Sequence, residues 1–98
     1  MARETLVIYD ISDDGLRLKV SKVCESFGLV RIQKSAFLGK MESSYRKELI
    51  AKLRMLLNRE GCDRDNIQVF VFSSQCLYDR VIIGRQFGVK VEERLLYI

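Results

Sequence analysis

The chain reads as an α+β protein: a ferredoxin-like βαββαβ sandwich with an extra C-terminal strand, arranged as a homodimer. Three observations predict this. Strand-like and helix-like apolar segments alternate along the chain in that order. The runs LVIY and VFVF are apolar at adjacent positions, so both faces of the sheet require cover. Only two helix-like segments are available, which leaves the second face for another copy of the chain.

The elements follow in order. Glu4–Tyr9 is a short apolar run rich in β-branched residues, the pattern of a buried strand. Ser12 or Asp13 caps a helix that ends before Gly28, a residue suited to the position after a helix C-terminus. Leu16, Val20, Val23, Cys24 and Phe27 lie on one face of that helix. Leu29–Met41 alternates in polarity and admits one long strand or two strands broken near Lys34–Ser35, where no Gly or Asn marks a turn. Ser43 or Ser44 opens a second helix with the stripe Tyr45, Leu49, Leu53, Leu56 and Leu57, and Gly61 closes it. Ile67–Phe72 is a strand of alternating Val and Phe. The segments VIIG (81–84) and VKVEERLLYI (89–98) read as a further strand and an apolar tail that supplies an edge strand to the partner. The whole, residues 1–98, makes one domain, with its core at about 4–73 and residues 80–98 in dimer contacts.

Composition excludes several chemistries. The chain has no histidine, and its three cysteines, Cys24, Cys62 and Cys76, form no C-x-x-C pair. A disulfide framework, a zinc site of ordinary spacing and His-based acid–base catalysis are therefore disfavoured. Any catalysis falls to carboxylates, Tyr, Lys, a thiol or a metal held by oxygen. Cys24 falls on an apolar helix face and belongs to the core. No apolar stretch approaches the ~20 residues of a membrane span, and the N-terminus lacks a signal-peptide core, so no membrane association and a cytoplasmic location are expected.

The net charge of +4 is uneven: residues 31–59 hold 8 Lys or Arg against 2 acids. That asymmetry suits an anionic partner, nucleic acid foremost, although a merely soluble surface also accounts for it. On the first helix Arg17 lies at one border of the apolar stripe, with Lys19 and Lys22 at the other. Lys47 with Arg54, and Lys52 with Arg59, repeat at seven-residue spacing on the second, where they either follow a phosphate backbone or snorkel to solvent. Arg31 alternates with core positions in its strand, and Leu18 stands opposite the core stripe as a stray exposed residue or a partner contact.

The acids after the first strand pose the chemical question. Asp10, Ser12, Asp13 and Asp14 can cap the helix and complement its dipole. Asp10 stands apart, because it precedes the cap and directly follows a buried strand. One carboxylate is a poor Mg²⁺ site, but two copies of Asp10 facing each other across a two-fold axis would hold one ion between protomers. Such an ion would activate water and offset charge on a scissile phosphate.

The stretches VIYDISDDGLRLKV and FGLVRIQKSAFLG carry a resemblance. With Tyr9-Asp10 ending the strand, Arg17 on the first helix, and the run Gly28, Arg31, Gln33, Ser35, Phe37, Gly39, the chain resembles the CRISPR-associated protein two (Cas-two) family over residues 5 to about 73. RNA-binding RRM domains share the element order, but KSAFLG does not match their RNP1 pattern. The resemblance implies a ferredoxin-like homodimer in which Asp10 of both subunits binds one shared Mg²⁺ or Mn²⁺. It implies a role in spacer acquisition, in which the dimer bridges copies of the adaptation integrase (Cas-one). It also implies a metal-dependent endonuclease activity, on single-stranded RNA or on DNA, in some members. It marks Tyr9 and Asp10 as catalytic residues, and Arg17, Lys19, Arg31 and Phe37 as nucleic-acid-binding. Lys19 stands where the family would place an arginine, and lysine keeps the charge without the bidentate fork. A small-molecule-sensing regulatory module on the same fold, without nuclease activity, is the alternative reading.

Overall fold

A computed structural model describes residues 2–85. The element order is β1 (Arg3–Asp10), α1 (Asp14–Ser26), β2 (Val30–Gln33), β3 (Ala36–Met41), α2 (Ser43–Glu60), β4 (Asn66–Phe72) and α3 (Ser74–Tyr78). The strands form one antiparallel sheet in the order β2-β3-β1-β4, which is the ferredoxin-like arrangement expected from the sequence.

Strand alternation divides β1 between two faces. Thr5, Val7 and Tyr9 point toward the helices and are buried, whereas Asp10, at the end of the other row, is exposed. The core joins Val7, Tyr9 and Phe37 from the sheet to Leu16, Val20 and Cys24 of α1 and Leu49 and Leu53 of α2. Of the expected stripes, Val23, Phe27, Leu56 and Leu57 are only partly buried at its margin. Tyr45 is exposed but tilts against Phe27, with ring centroids 4.7 Å apart.

Asp13 caps α1, its carboxylate accepting from the Leu16 N–H at 2.8 Å. Gly28 follows that helix with φ of +85°, a left-handed conformation that glycine adopts without Cβ strain. At the end of α2 a Cβ on Gly61 would lie 2.6 Å from the Leu57 carbonyl oxygen, so the chain turns there only because the side chain is absent.

Of the two options for residues 29–41, the structure takes the hairpin. Its turn is Lys34–Ser35, and the β2–β3 register shifts between Arg31 and Gln33. The turn is anchored from outside, the Tyr9 N–H donating to the Ser35 carbonyl at 3.0 Å. That explains how it forms without Gly or Asn.

Two expectations about the C-terminal part need correction or placement. Residues 81–84 are not a strand. A short helix, α3, capped by Ser73, intervenes after β4, and the described residues beyond it, 79–85, do not pair with the sheet. The apolar tail 89–98 lies outside the described residues. Among the described residues, no helix is long and apolar enough to cross a membrane.

Candidate nucleic-acid interface

Tyr9, Arg17, Leu18, Ser21, Arg31, Lys34 and Ser35 line an open hollow of about 640 Å³ between α1 and the β2–β3 hairpin. Its size falls within the range of small-molecule sites, roughly 300–1,000 Å³. Three of its side chains are cationic, three carry hydroxyls, and no carboxylate is among the described lining residues. A donor-rich, positive concavity of this kind suits phosphate oxygens.

The cations are placed by specific contacts. Arg31 comes from the helix-facing row of β2, opposite Phe37 of β3, and its guanidinium carbon lies 4.9 Å from the centre of the Phe37 ring. One of its Nη atoms donates to the Lys34 carbonyl at 2.9 Å. The ring and the carbonyl together hold the fork at the hollow's edge. Arg17 donates from Nη1 to the Ile11 carbonyl at 3.2 Å and forms an ion pair with Asp14, one helical turn back. Ile11 belongs to the turn that follows Asp10, and Asp14 opens α1.

Tyr9 supplies part of the floor. Its ring stacks with Phe37 at 6.3 Å, and its hydroxyl reaches the Lys34 carbonyl at 3.5 Å. Burial raises the phenol pKa above its ordinary value, opposed in part by the nearby Arg31 charge. The phenol is therefore a protonated donor at neutral pH. A phenolate base would need the opposite shift.

The sequence-derived site residues separate into three places. Tyr9, Arg17 and Arg31 meet at the hollow. Phe37, expected as nucleic-acid-binding, is fully buried and exposes no surface for direct contact; its ring lies under the Arg31 guanidinium. Lys19 points elsewhere, its ammonium holding Glu60 at 2.8 Å and 2.9 Å and tying α1 to the end of α2. Asp10 also stands apart from the hollow, on the opposite face of β1, where its backbone pairs with Asn66 of β4.

Asp10 projects from a turn that is pinned across the chain. Asp65 Oδ1 accepts from the Ser12 N–H at 2.9 Å and from its hydroxyl at 3.1 Å, while Oδ2 accepts from the Cys62 N–H at 2.9 Å. Nothing local in the sequence betrays this clamp, because Ser12 and Asp65 are 53 residues apart. Lys34, Ser21 and Ser35 were also missed. The only available signal was the break in alternation at Lys34–Ser35, which marks a turn without saying which elements it will face.

Among the described residues, no group of three or more Cys, Asp or Glu side chains converges as a metal site. Asp10 is exposed and belongs to no such group. Mg²⁺ is ordinarily held by one or two carboxylates completed by waters and phosphates, so an exposed carboxylate such as Asp10 has the chemistry of a single ligand to such an ion. Cys24 is no candidate, because burial, with help from Glu25, pushes its thiol up to about 12.

Residues 3–80 match the family model described as CRISPR associated protein Cas2. The chain belongs to the Cas2 family. This Cas2-family chain is 42% identical over 87 residues to a protein of Korarchaeum cryptofilum named CRISPR-associated endoribonuclease Cas2, covering 87% of this chain and 89% of that one. It is 34% identical over 58 residues to a CRISPR-associated endonuclease Cas1/endonuclease Cas2 fusion of Thermoproteus tenax, covering 59% of this chain and 22% of the fusion. Its fold is similar to the crystal structure of a hypothetical protein from Thermus thermophilus, with a TM-score of 0.72 at 24% identity, covering 88% of this chain and 95% of that one.

Proposed function

We propose that this Cas2-family chain is a nucleic-acid-binding homodimer of CRISPR adaptation. In that role it scaffolds the integrase partner and acts, when metal is present, as an endonuclease on phosphodiester bonds. The observation that carries the binding role is the convergence of Arg17 and Arg31 on one hollow with the Tyr9 hydroxyl. The endoribonuclease name of the Korarchaeum relative supports the hydrolytic role, and the fusion found in Thermoproteus supports a Cas1 integrase as partner.

The chain's own residues divide the work. Arg17 and Arg31 neutralise and orient phosphates, Arg31 with its fork pre-set by Phe37 and the Lys34 carbonyl. Tyr9 donates a hydrogen bond from a phenol that stays protonated. Asp10 of two copies would hold a divalent ion, which would polarise the scissile phosphate and lower the pKa of a bound water. The Asp65–Ser12 clamp keeps the turn bearing that carboxylate against β4.

Two copies join through the sheet face opposite the helices. Phe70 and Val30 on that face are exposed, and apolar surface of that kind is what a symmetric partner covers.

The test is cleavage of labelled duplex DNA and single-stranded RNA, with Mg²⁺ or Mn²⁺, by wild type and Asp10→Ala, with binding and oligomeric state recorded in parallel. Metal-dependent cleavage lost in the variant while binding and the dimer persist supports the hydrolytic role. Binding without cleavage by either protein leaves a scaffold. Absence of binding to any nucleic acid refutes the reading.

A further inference from the structure

We infer that the Lys34 side chain is a third phosphate-binding cation of the hollow, completing with Arg17 and Arg31 a seat for a phosphate group of the nucleic acid. The inference rests on the nucleic-acid reading above and adds a residue to it.

The backbone and the side chain of Lys34 do different things. Its carbonyl accepts from Arg31 Nη1 at 2.9 Å and faces the Tyr9 hydroxyl at 3.5 Å, while the adjoining Ser35 carbonyl takes the Tyr9 N–H at 3.0 Å. These bonds place the turn at the mouth of the hollow and tie it to the strand that carries Tyr9. Lys34 is exposed as a residue and is among those that line the hollow, so its side chain leaves the turn at that rim. An ammonium there brings a compact positive charge with three rotatable donors, beside two guanidinium forks.

The surroundings favour an anion of nucleotide size. Asp14 already pairs with Arg17, so the charges of Arg31 and Lys34 are what chiefly draw an anion into the concavity. The Ser35 hydroxyl adds a polar group, and Leu18, 56% exposed, offers an apolar wall that a sugar or a base edge can cover. Leu18 thereby acquires a reason to be exposed. A volume of about 640 Å³ exceeds what a bare phosphate fills and leaves room for an attached nucleoside.

The experiment is fluorescence-anisotropy binding of wild type, Lys34→Ala, Lys34→Arg and Arg31→Ala to a single-stranded oligonucleotide across a salt series. The oligonucleotide is used with and without a 5′-phosphate. Lys34→Ala removes the ammonium and leaves the carbonyl that holds Arg31 in place. Each neutralised phosphate contributes about 0.7 to the slope of log K against log salt for single strands. Lys34→Ala is expected to flatten that slope by about one such contact and to weaken binding roughly tenfold at low salt, and Lys34→Arg to restore both. An equal loss with both oligonucleotides identifies an internal phosphodiester as the occupant. A loss confined to the 5′-phosphorylated strand identifies a terminal phosphate. An unchanged slope in Lys34→Ala, with a flattened one in Arg31→Ala, overturns the role of Lys34 and leaves the nucleic-acid reading standing. No binding by wild type overturns both.

Discussion

The guanidinium of Arg31 lies over the ring of Phe37, 4.9 Å from its centre, and the two residues are register partners on adjacent strands. The pair separates two functions that the sequence presents together. Phe37 is wholly inside the core, and Arg31 stands at the hollow's rim. A cation held against an aromatic face loses less freedom on meeting a phosphate, so in the proposed binding role the buried ring would act through the exposed charge.

Replacing that ring while filling its space tests this coupling. Phe37→Leu keeps the site apolar and is expected to remain folded, whereas Phe37→Ala leaves a cavity that costs about 3–5 kcal/mol. The lost cation–π contact is worth about 0.5–1 kcal/mol at a site of this exposure, which is roughly a two- to fivefold loss in nucleic-acid affinity for Phe37→Leu. Binding isotherms beside a thermal melt separate the two effects. Unchanged affinity in a folded Phe37→Leu would show that Arg31 needs no platform.

The Asp65 carboxyl is held below its ordinary pKa, chiefly by the Cys62 and Ser12 N–H groups it accepts from. A folded-state pKa below the unfolded value means a stabilising contribution that is fully present above the unfolded value, about 3.9. It is lost as pH falls through the folded pKa. Denaturation midpoints of wild type and Asp65→Asn should therefore differ at pH 7 and converge in strong acid. Amide exchange at Ser12 should be faster in Asp65→Ala at neutral pH, because that N–H loses its acceptor. Equal midpoints at pH 7 would show that the clamp carries no weight.

Much of this architecture was legible, and the places where it was not share a physical cause. Helix α1 announced itself through Asp13, the stripe from Leu16 to Cys24, and Gly28, all of them local signals. The hairpin within 29–41 was ambiguous because its turn is stabilised by Tyr9, some 25 residues earlier, rather than by turn-forming residues of its own. Helix α3 was overlooked, since five residues carry too little periodicity to register. The basic residues were countable from the start, but charge cannot say which cations meet. Arg17 and Arg31 converge only because β1 lies between the hairpin and β4 and lifts Tyr9 beneath both.

Lys19 illustrates the same limit. Its ammonium is taken up by Glu60, and both side chains keep substantial solvent contact. A double-mutant cycle on Lys19→Ala and Glu60→Gln should return a coupling below about 1 kcal/mol that shrinks with added salt. With Glu60 neutralised, Lys19 is released to act on phosphate, so Glu60→Gln should steepen the salt dependence of nucleic-acid binding. If Lys19→Ala instead flattens that slope in the presence of Glu60, the ammonium serves phosphate despite its partner.

Asp10 offers the sharpest separation of roles, because it shares a strand with Tyr9 and faces the other way. If the hollow binds and Asp10 serves hydrolysis, Asp10→Asn should abolish metal-dependent cleavage and leave nucleic-acid affinity in metal-free buffer within about twofold. Removal of the carboxylate should also make the dimer indifferent to Mg²⁺. Two carboxylates brought together across a two-fold axis repel when no cation lies between them. Wild type should therefore dimerise less tightly in chelator than in Mg²⁺, and Asp10→Asn equally in both. Sedimentation velocity at several protein concentrations reads this directly. A wild-type dimer insensitive to chelator would place the two Asp10 side chains apart and leave each as part of its own turn.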